Sequence, residues 1–269
     1  AEVVTILFAK HLKFNPENPE WKNRDRFILS AGHGSMLMYS LLYLLGYPKI
    51  SMDHIKSFRK VNSPAAGHPE FGELPGIETT TGPLGQGLGN GLGMAISEKI
   101  MRERYGENIF NHYIYILAGD GCLMEGISHE FASLAGHLNL SNLVLIYDDN
   151  KISIDGPTSL TMSDNTLERF NALGWHTTSI DGYNLEEVDS ALTNAKLDPR
   201  PSLISCQTLI GYGAPNKQNT AGSHGAPLGE EEIQMAKKNM KWNYDKFVLP
   251  EQVKKDWEET GKRNIELSK

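Results

Sequence analysis

Residues Tyr113 to Gly121 read YIYILAGDG, and this stretch decides the fold. The unbroken run of Ile, Leu and Tyr up to Leu117 has the pattern of a strand buried on both faces. It ends in small residues and a Gly-Asp-Gly turn. The apolar residues beyond it, Ile127, Phe131, Leu134 and Leu138, fall at intervals of four, three and four, which marks an amphipathic helix. The same alternation recurs downstream. Strand-like runs occupy Leu143 to Tyr147, Ser202 to Gln207 and, more weakly, Trp175 to Ile180, while Val188, Ala191, Leu192 and Ala195 repeat the helical spacing. Alternating strands and helices imply right-handed βαβ crossovers. The expected architecture is α/β, a doubly wound, mostly parallel sheet with helices on both faces and ligands beyond the carboxyl ends of the strands.

The rest of the composition bounds the function. The 269 residues carry a net charge of -7 with no cluster of Lys and Arg, so nucleic acid is not an expected partner. No apolar run is long enough to cross a bilayer, so no membrane is expected either. Cys122 and Cys206 stand far apart, in no metal-ligand or redox spacing, which suits buried thiols in a reducing cytoplasm. Val3 to Ala9 reads as a core helix and not a signal peptide, because no basic segment precedes it. The chain opens on Ala1 without a helix cap, and a fragment of a longer protein is expected. Residues 1 to 245 read as one ligand-binding domain, and 246 to 269 as a terminal helix or an outgoing linker.

Asp120 sits where a strand meets a helix entrance, with a glycine on each side that lets backbone N–H groups approach a phosphate. It is a hard oxygen ligand suited to Mg, or else a helix cap. Asp148-Asp149-Asn150-Lys151 follows the next strand, which brings both polar clusters to one sheet edge and allows Asn150 to face Asp120. Asn150 reads as an oxygen ligand or as a turn residue.

Thr79 to Gly93, TTTGPLGQGLGNGLG, holds six glycines from Gly82 onward and runs into a helix. It has neither the spacing of a dinucleotide loop nor a Walker lysine. Its bare backbone suits a flat ring or a phosphate, or a close helix-packing seam. His33, His68 and His224 each stand in a glycine-rich context, and histidine exchanges protons near neutrality. His129, His137 and His176 read as structural. No H-E-x-x-H occurs, so a catalytic zinc is not expected.

Taken together, NRDRFILSAGHGSMLMYSLLYLLGY, GHPEFG, TTTGPLGQG, GDGCLMEGISHE, DDNKISIDG and SHGAPLG resemble, in order and spacing, the thiamine-diphosphate-binding domain of transketolases. The resemblance covers nearly the whole chain. It implies Mg, for which Ca or Mn can substitute, held by Asp120, Asn150 and the carbonyl of Ile152. Gly121 and Asn150 would contact the diphosphate, and Gly82, Pro83 and Leu84 would line the aminopyrimidine. His33 and His224 match histidines near the diphosphate and the donor sugar, His224 being placed for proton transfer. His68 matches the histidine that bonds the donor ketose, and Glu125 the acid that reaches across a dimer interface. The implied activity is transfer of a two-carbon ketol unit from a ketose phosphate to an aldose phosphate.

The sequence departs from the family's pattern in two ways. It lacks the upstream S-G-H-P-G stretch with a further substrate histidine, and it lacks the second domain, which carries the glutamate that activates the cofactor. The implied partners are thus the second and third transketolase domains and a second copy in a cytoplasmic homodimer, and the chain alone is expected to be inactive. Another ketol transferase, such as dihydroxyacetone synthase or deoxyxylulose phosphate synthase, is the alternative within this chemistry. A non-catalytic thiamine-diphosphate-binding module is the alternative outside it.

Overall fold

The apolar run around Tyr115 is buried on both faces because it lies inside a five-stranded parallel sheet. The computed structural model describes residues 1–269. In chain order the elements are α1 (Glu2–Ile6), β1 (Arg26–Leu29), α2 (Ser35–Leu44), α3 (Met52–Lys56), α4 (Gln86–Tyr105), β2 (Ile114–Gly119), α5 (Asp120–Met124), α6 (Gly126–His137) and β3 (Leu143–Asp149). A short hairpin of β4 (Ile152–Ser153) and β5 (Gly156–Pro157) follows, then α7 (Thr166–Ala172), β6 (His176–Asp181), α8 (Leu185–Leu197), β7 (Ser202–Gln207), α9 (Glu230–Asn239) and α10 (Glu251–Lys262). The sheet order is β1-β2-β3-β7-β6 and every neighbouring pair is parallel.

Alternate residues of the strands feed two separate cores. Phe27, Leu29, Tyr115, Val144, Ile146 and Ile204 pack with α1, α2 and α8, whereas Ile28, Ile114, Ile116, Leu145 and Leu203 pack with α4, α6 and α7. Each fully buried branched or aromatic side chain contributes about 1.5–3 kcal/mol, so both helical layers are needed to close the sheet. The apolar start of the chain is a core helix, continuing as a π-turn over Leu7–His11. Both cysteines are free and buried.

Three features go beyond the sequence pattern. β1 is a fifth strand, at the edge of the sheet beside β2 and only four residues long, hidden because the polar run Asn23 to Arg26 leads into it. A short helix, α5, starts at Asp120 itself, ahead of α6. Within the glycine-rich stretch, α4 begins at Gln86, so four of its glycines are helical. A Cβ at Gly87 would lie 2.7 Å from Ser30 Cα, and one at Gly91 would lie 2.4 Å from Ile116 Cδ1. From Gly87 on, the stretch is a packing seam, and only Gly82 to Gly85 is loop.

The charged tail is fastened to the beginning of the chain. Arg263 and Asn264 donate to the carbonyl of Leu12 at 2.6 and 3.2 Å, and a Cβ at Gly261 would meet Leu45 O at 2.3 Å.

Candidate functional site

The register of the sheet gathers the polar motifs at one edge. Leu29 pairs with Leu117, Gly119 with Asp148 and Asp149 with Gln207. The turns after β1, β2, β3 and β7 therefore begin side by side, bringing Gly32-His33-Gly34, Asp120-Gly121, Asn150 and Thr208 to the carboxyl edge.

Asp120 is buried, and its two oxygens differ. Oδ1 accepts a hydrogen bond from the Tyr147 hydroxyl, while Oδ2 has no partner. Burial raises the carboxyl pKa to about 6, the Tyr147 bond pulls it down, and the neighbouring Asp149 charge pushes it up again. Asp149 accepts from Ser205 Oγ at 3.0 Å and pairs with Lys151 at 2.7 Å. Asp148 accepts from Thr208 Oγ1 at 2.5 Å and from Asn150 Nδ2 at 3.0 Å.

Asn150 reaches the expected edge, but its side chain is engaged locally: Oδ1 accepts from the Ile152 N–H at 3.0 Å, closing an Asx turn. No hydrogen bond joins it to Asp120. Ile152 is buried and pairs with Pro157 in the β4–β5 hairpin. No three His, Cys, Asp or Glu side chains converge to hold an ion by themselves. A cation here would take the free Asp120 Oδ2, a second lone pair of Asn150 Oδ1 and a carbonyl, a hard and mostly neutral oxygen set of the kind Mg accepts.

The Gly82 loop bridges the carboxylate cluster and the histidines. A Cβ on Gly32 would lie 2.7 Å from Thr81 Oγ1 and 3.1 Å from Gly82 N, so only glycine lets these two segments meet. Thr81 Oγ1 donates to Leu29 O at 2.8 Å and pins the loop to the end of β1. On one side the His68 ring lies against Gly82, 3.6 Å from where a Cβ would be. On the other, Leu84 Cδ1 is 3.0 Å from the Cβ position of Gly121. Pro83 and Leu84 are exposed. Gly85 turns at φ +82° against Glu125 and Ile127, and Glu125 points into solvent as the residue before α6.

The rings of His33 and His224 lie against one another, tilted by 31°, with centroids 5.0 Å apart. Burial, followed by the positive fields of His224, His68 and Arg59, lowers the pKa of His33, which favours its neutral form. All three histidines from glycine contexts are thus brought together, whereas His129 and His137 lie exposed on α6 and His176 is half-buried beside Ser202.

Three participants carry no sequence signal. Arg59 packs over Gly67, its Nε 2.9 Å from that residue's Cβ position, and adds a cation beside His68. Tyr147 is hidden inside a hydrophobic strand. Glu232 of α9, buried, accepts from the Asn216 N–H at 2.7 Å, Asn216 Nδ2 at 2.9 Å and the Lys217 N–H at 3.0 Å, which ties down the loop that carries His224.

A parallel α/β sheet with a buried carboxylate, bare glycine backbone and clustered histidines at its carboxyl edge defines an α/β ligand-binding domain of the doubly wound class. Residues 1–269 match the family described as transketolase, thiamine diphosphate binding domain, and the chain belongs to that family. A transketolase of Buchnera aphidicola is 53% identical over 262 residues, covering 96% of this chain and 39% of its own length. One from Rhodobacter capsulatus is 50% identical over 261 residues, covering 97% and 39%. The crystal structure of the Campylobacter jejuni transketolase superposes with a TM-score of 0.95 at 43% identity, over 99% of this chain and 42% of that one. The Pichia stipitis transketolase, in complex with sedoheptulose 7-phosphate, gives 0.94 at 39% identity, over 99% and 40%. The chain thus spans about two fifths of the curated relatives it matches. The α/β thiamine-diphosphate fold and the family resemblance expected from the six motifs both hold.

Proposed function

We propose that this chain is the Mg- and diphosphate-binding part of a transketolase, which moves a two-carbon ketol unit from a ketose phosphate to an aldose phosphate in the pentose phosphate pathway of the cytoplasm. The observation that carries the reading is the unpartnered, buried Oδ2 of Asp120 at the same sheet edge as His33, His68 and His224. A buried carboxylate oxygen left unsatisfied costs about 1–3 kcal/mol or more, which a cation at that oxygen would offset. The sugar phosphate complex of the Pichia stipitis relative supports the substrate class.

In this reading Asp120, Asn150 and the Ile152 carbonyl hold Mg, with Ca or Mn as substitutes, and Gly121 and Asn150 meet the diphosphate. Gly82, Pro83 and Leu84 line the aminopyrimidine. Bound thiamine diphosphate supplies the carbon nucleophile and stores the electron pair left by the broken carbon–carbon bond. His68 and His224 orient the sugar, and His224 takes the proton from the hydroxyl that becomes the departing aldehyde. His33, as a neutral imidazole, donates one hydrogen bond near the diphosphate. Arg59 supplies positive charge suited to an anionic sugar. Glu125 reaches a second copy in a homodimer, and the acid that activates the cofactor comes from the second domain.

A coupled assay with xylulose and ribose phosphates tests this. The longer protein that contains this chain is expected to turn over, and residues 1–269 alone are expected to be silent. Robust turnover by residues 1–269 would place the activating acid within them and overturn the division of labour.

A further inference from the structure

Tyr147 is the buried polar group at the site to which neither the motifs nor the proposed reaction gives a role. Its ring is only 1% exposed and packs in the core beneath α4 and α6. It pairs in register with Ala118 of β2 and Ser205 of β7, near the carboxyl ends of the three strands, and its ring stands on the sheet face toward α4 and α6. That hydroxyl donates to Asp120 Oδ1, and the other oxygen is left bare. The far side of the network is anchored independently: Asp149, two residues along the same strand face, is held by Ser205 and Lys151.

Resting on the reading of Asp120 as a metal ligand, we propose that Tyr147 is a positioning residue that fixes the Asp120 carboxylate so that Oδ2, and not Oδ1, is presented to the cation. A carboxylate at the mouth of a short helix rotates about its terminal torsion with little resistance. One charge-assisted hydrogen bond to one oxygen removes that freedom before the cation arrives. Such partners of metal ligands commonly govern metal affinity by 10- to 100-fold, on the order of the loss expected here. Tyr147 suits the task because its ring is fixed in the core, which holds its hydroxyl on Asp120 Oδ1.

The test is calorimetric titration of thiamine diphosphate into the full-length protein at graded Mg concentrations, with Tyr147→Phe, Asp120→Ala and Asp120→Asn beside the wild type. Tyr147→Phe keeps the ring and should raise the half-saturating Mg concentration about tenfold or more, measured at a temperature where the variant stays folded. A role in packing alone, which Phe preserves, would leave the Mg dependence in place. Half-saturation within about twofold of wild type, while Asp120→Ala abolishes Mg-dependent binding, would overturn the positioning role and spare the metal assignment. Unchanged binding by Asp120→Ala would overturn both. Should Tyr147→Phe fail to fold, Asp120→Asn decides: it keeps an acceptor for Tyr147 and puts an amide nitrogen where Oδ2 was. It should then be as deficient as Asp120→Ala, and Mg-dependent binding near wild type would contradict the proposal.

Discussion

The imidazoles of His33 and His224 lie 5.0 Å apart with their planes 31° from parallel, although one follows the first strand of the sheet and the other sits in a loop far beyond the last. In the proposed reading, a pair of rings so placed, beside a third at His68, would exchange protons with the sugar. In the full-length protein His68→Ala and His224→Ala should each lower kcat by about 100-fold or more with cofactor saturated. Near-normal turnover of both would return them to a structural role.

The loop that presents His224 is indexed by Glu232 through three hydrogen bonds. Glu232→Ala should free Asn216 and Lys217 to exchange their amide hydrogens faster and should lower kcat, while thiamine diphosphate affinity stays near wild type. Hydrogen-exchange mass spectrometry over residues 208 to 229 reads the first effect. Unchanged protection there would show that the loop is held by other contacts.

Gly87 lets α4 lie directly on the end of β1. A Cβ there would sit 2.7 Å from Ser30 Cα, which is backbone and has no rotamer to yield. Alanine gains up to about 1 kcal/mol in helix propensity, but overpacking costs about 1–3 kcal/mol. Gly87→Ala should therefore lower stability in urea unfolding, and an increase would mean that the seam is looser than the structure has it.

His112 is buried with Nδ1 unpartnered, and burial, reinforced by Arg26, Lys13 and Arg24, lowers its pKa to about 3. Unfolded, the same ring takes up a proton below its ordinary value of 6.5. Between these values the unfolded state binds the extra proton, so stability falls as pH falls from 6.5 toward 3. From pH 6.5 to pH 5 the wild type should lose about 1.5 kcal/mol more than His112→Gln. Parallel stability curves for the two would show that His112 is protonated in the folded protein.

The sheet was largely legible in the sequence, because buried parallel strands leave continuous apolar runs and the turns after them carry Gly, Asp and Asn. β2, β3, β6 and β7 follow from those runs, with β3 extending past Tyr147 through Asp149, two residues further than its apolar stretch. β1 was not, since four residues behind a charged run give no periodicity. The glycine stretch was read as either loop or seam, and it is both in succession. His33, His68 and His224 announced themselves by their glycines, whereas Arg59 and Tyr147 acquire their positions only when distant segments fold together. Asn150 lies at the edge where the sequence put it, with its amide turned onto Ile152 and Asp148 instead of Asp120.

The central claim, that the carboxyl edge of this sheet holds a cation and through it a diphosphate, is tested most directly by measuring thiamine diphosphate binding to the full-length protein with and without Mg, for wild type and Asp120→Ala. The account predicts saturable binding that requires Mg in the wild type, and no Mg-dependent binding in the variant, whose site has lost the buried carboxylate. Equal affinity and equal Mg dependence in the two proteins would contradict it.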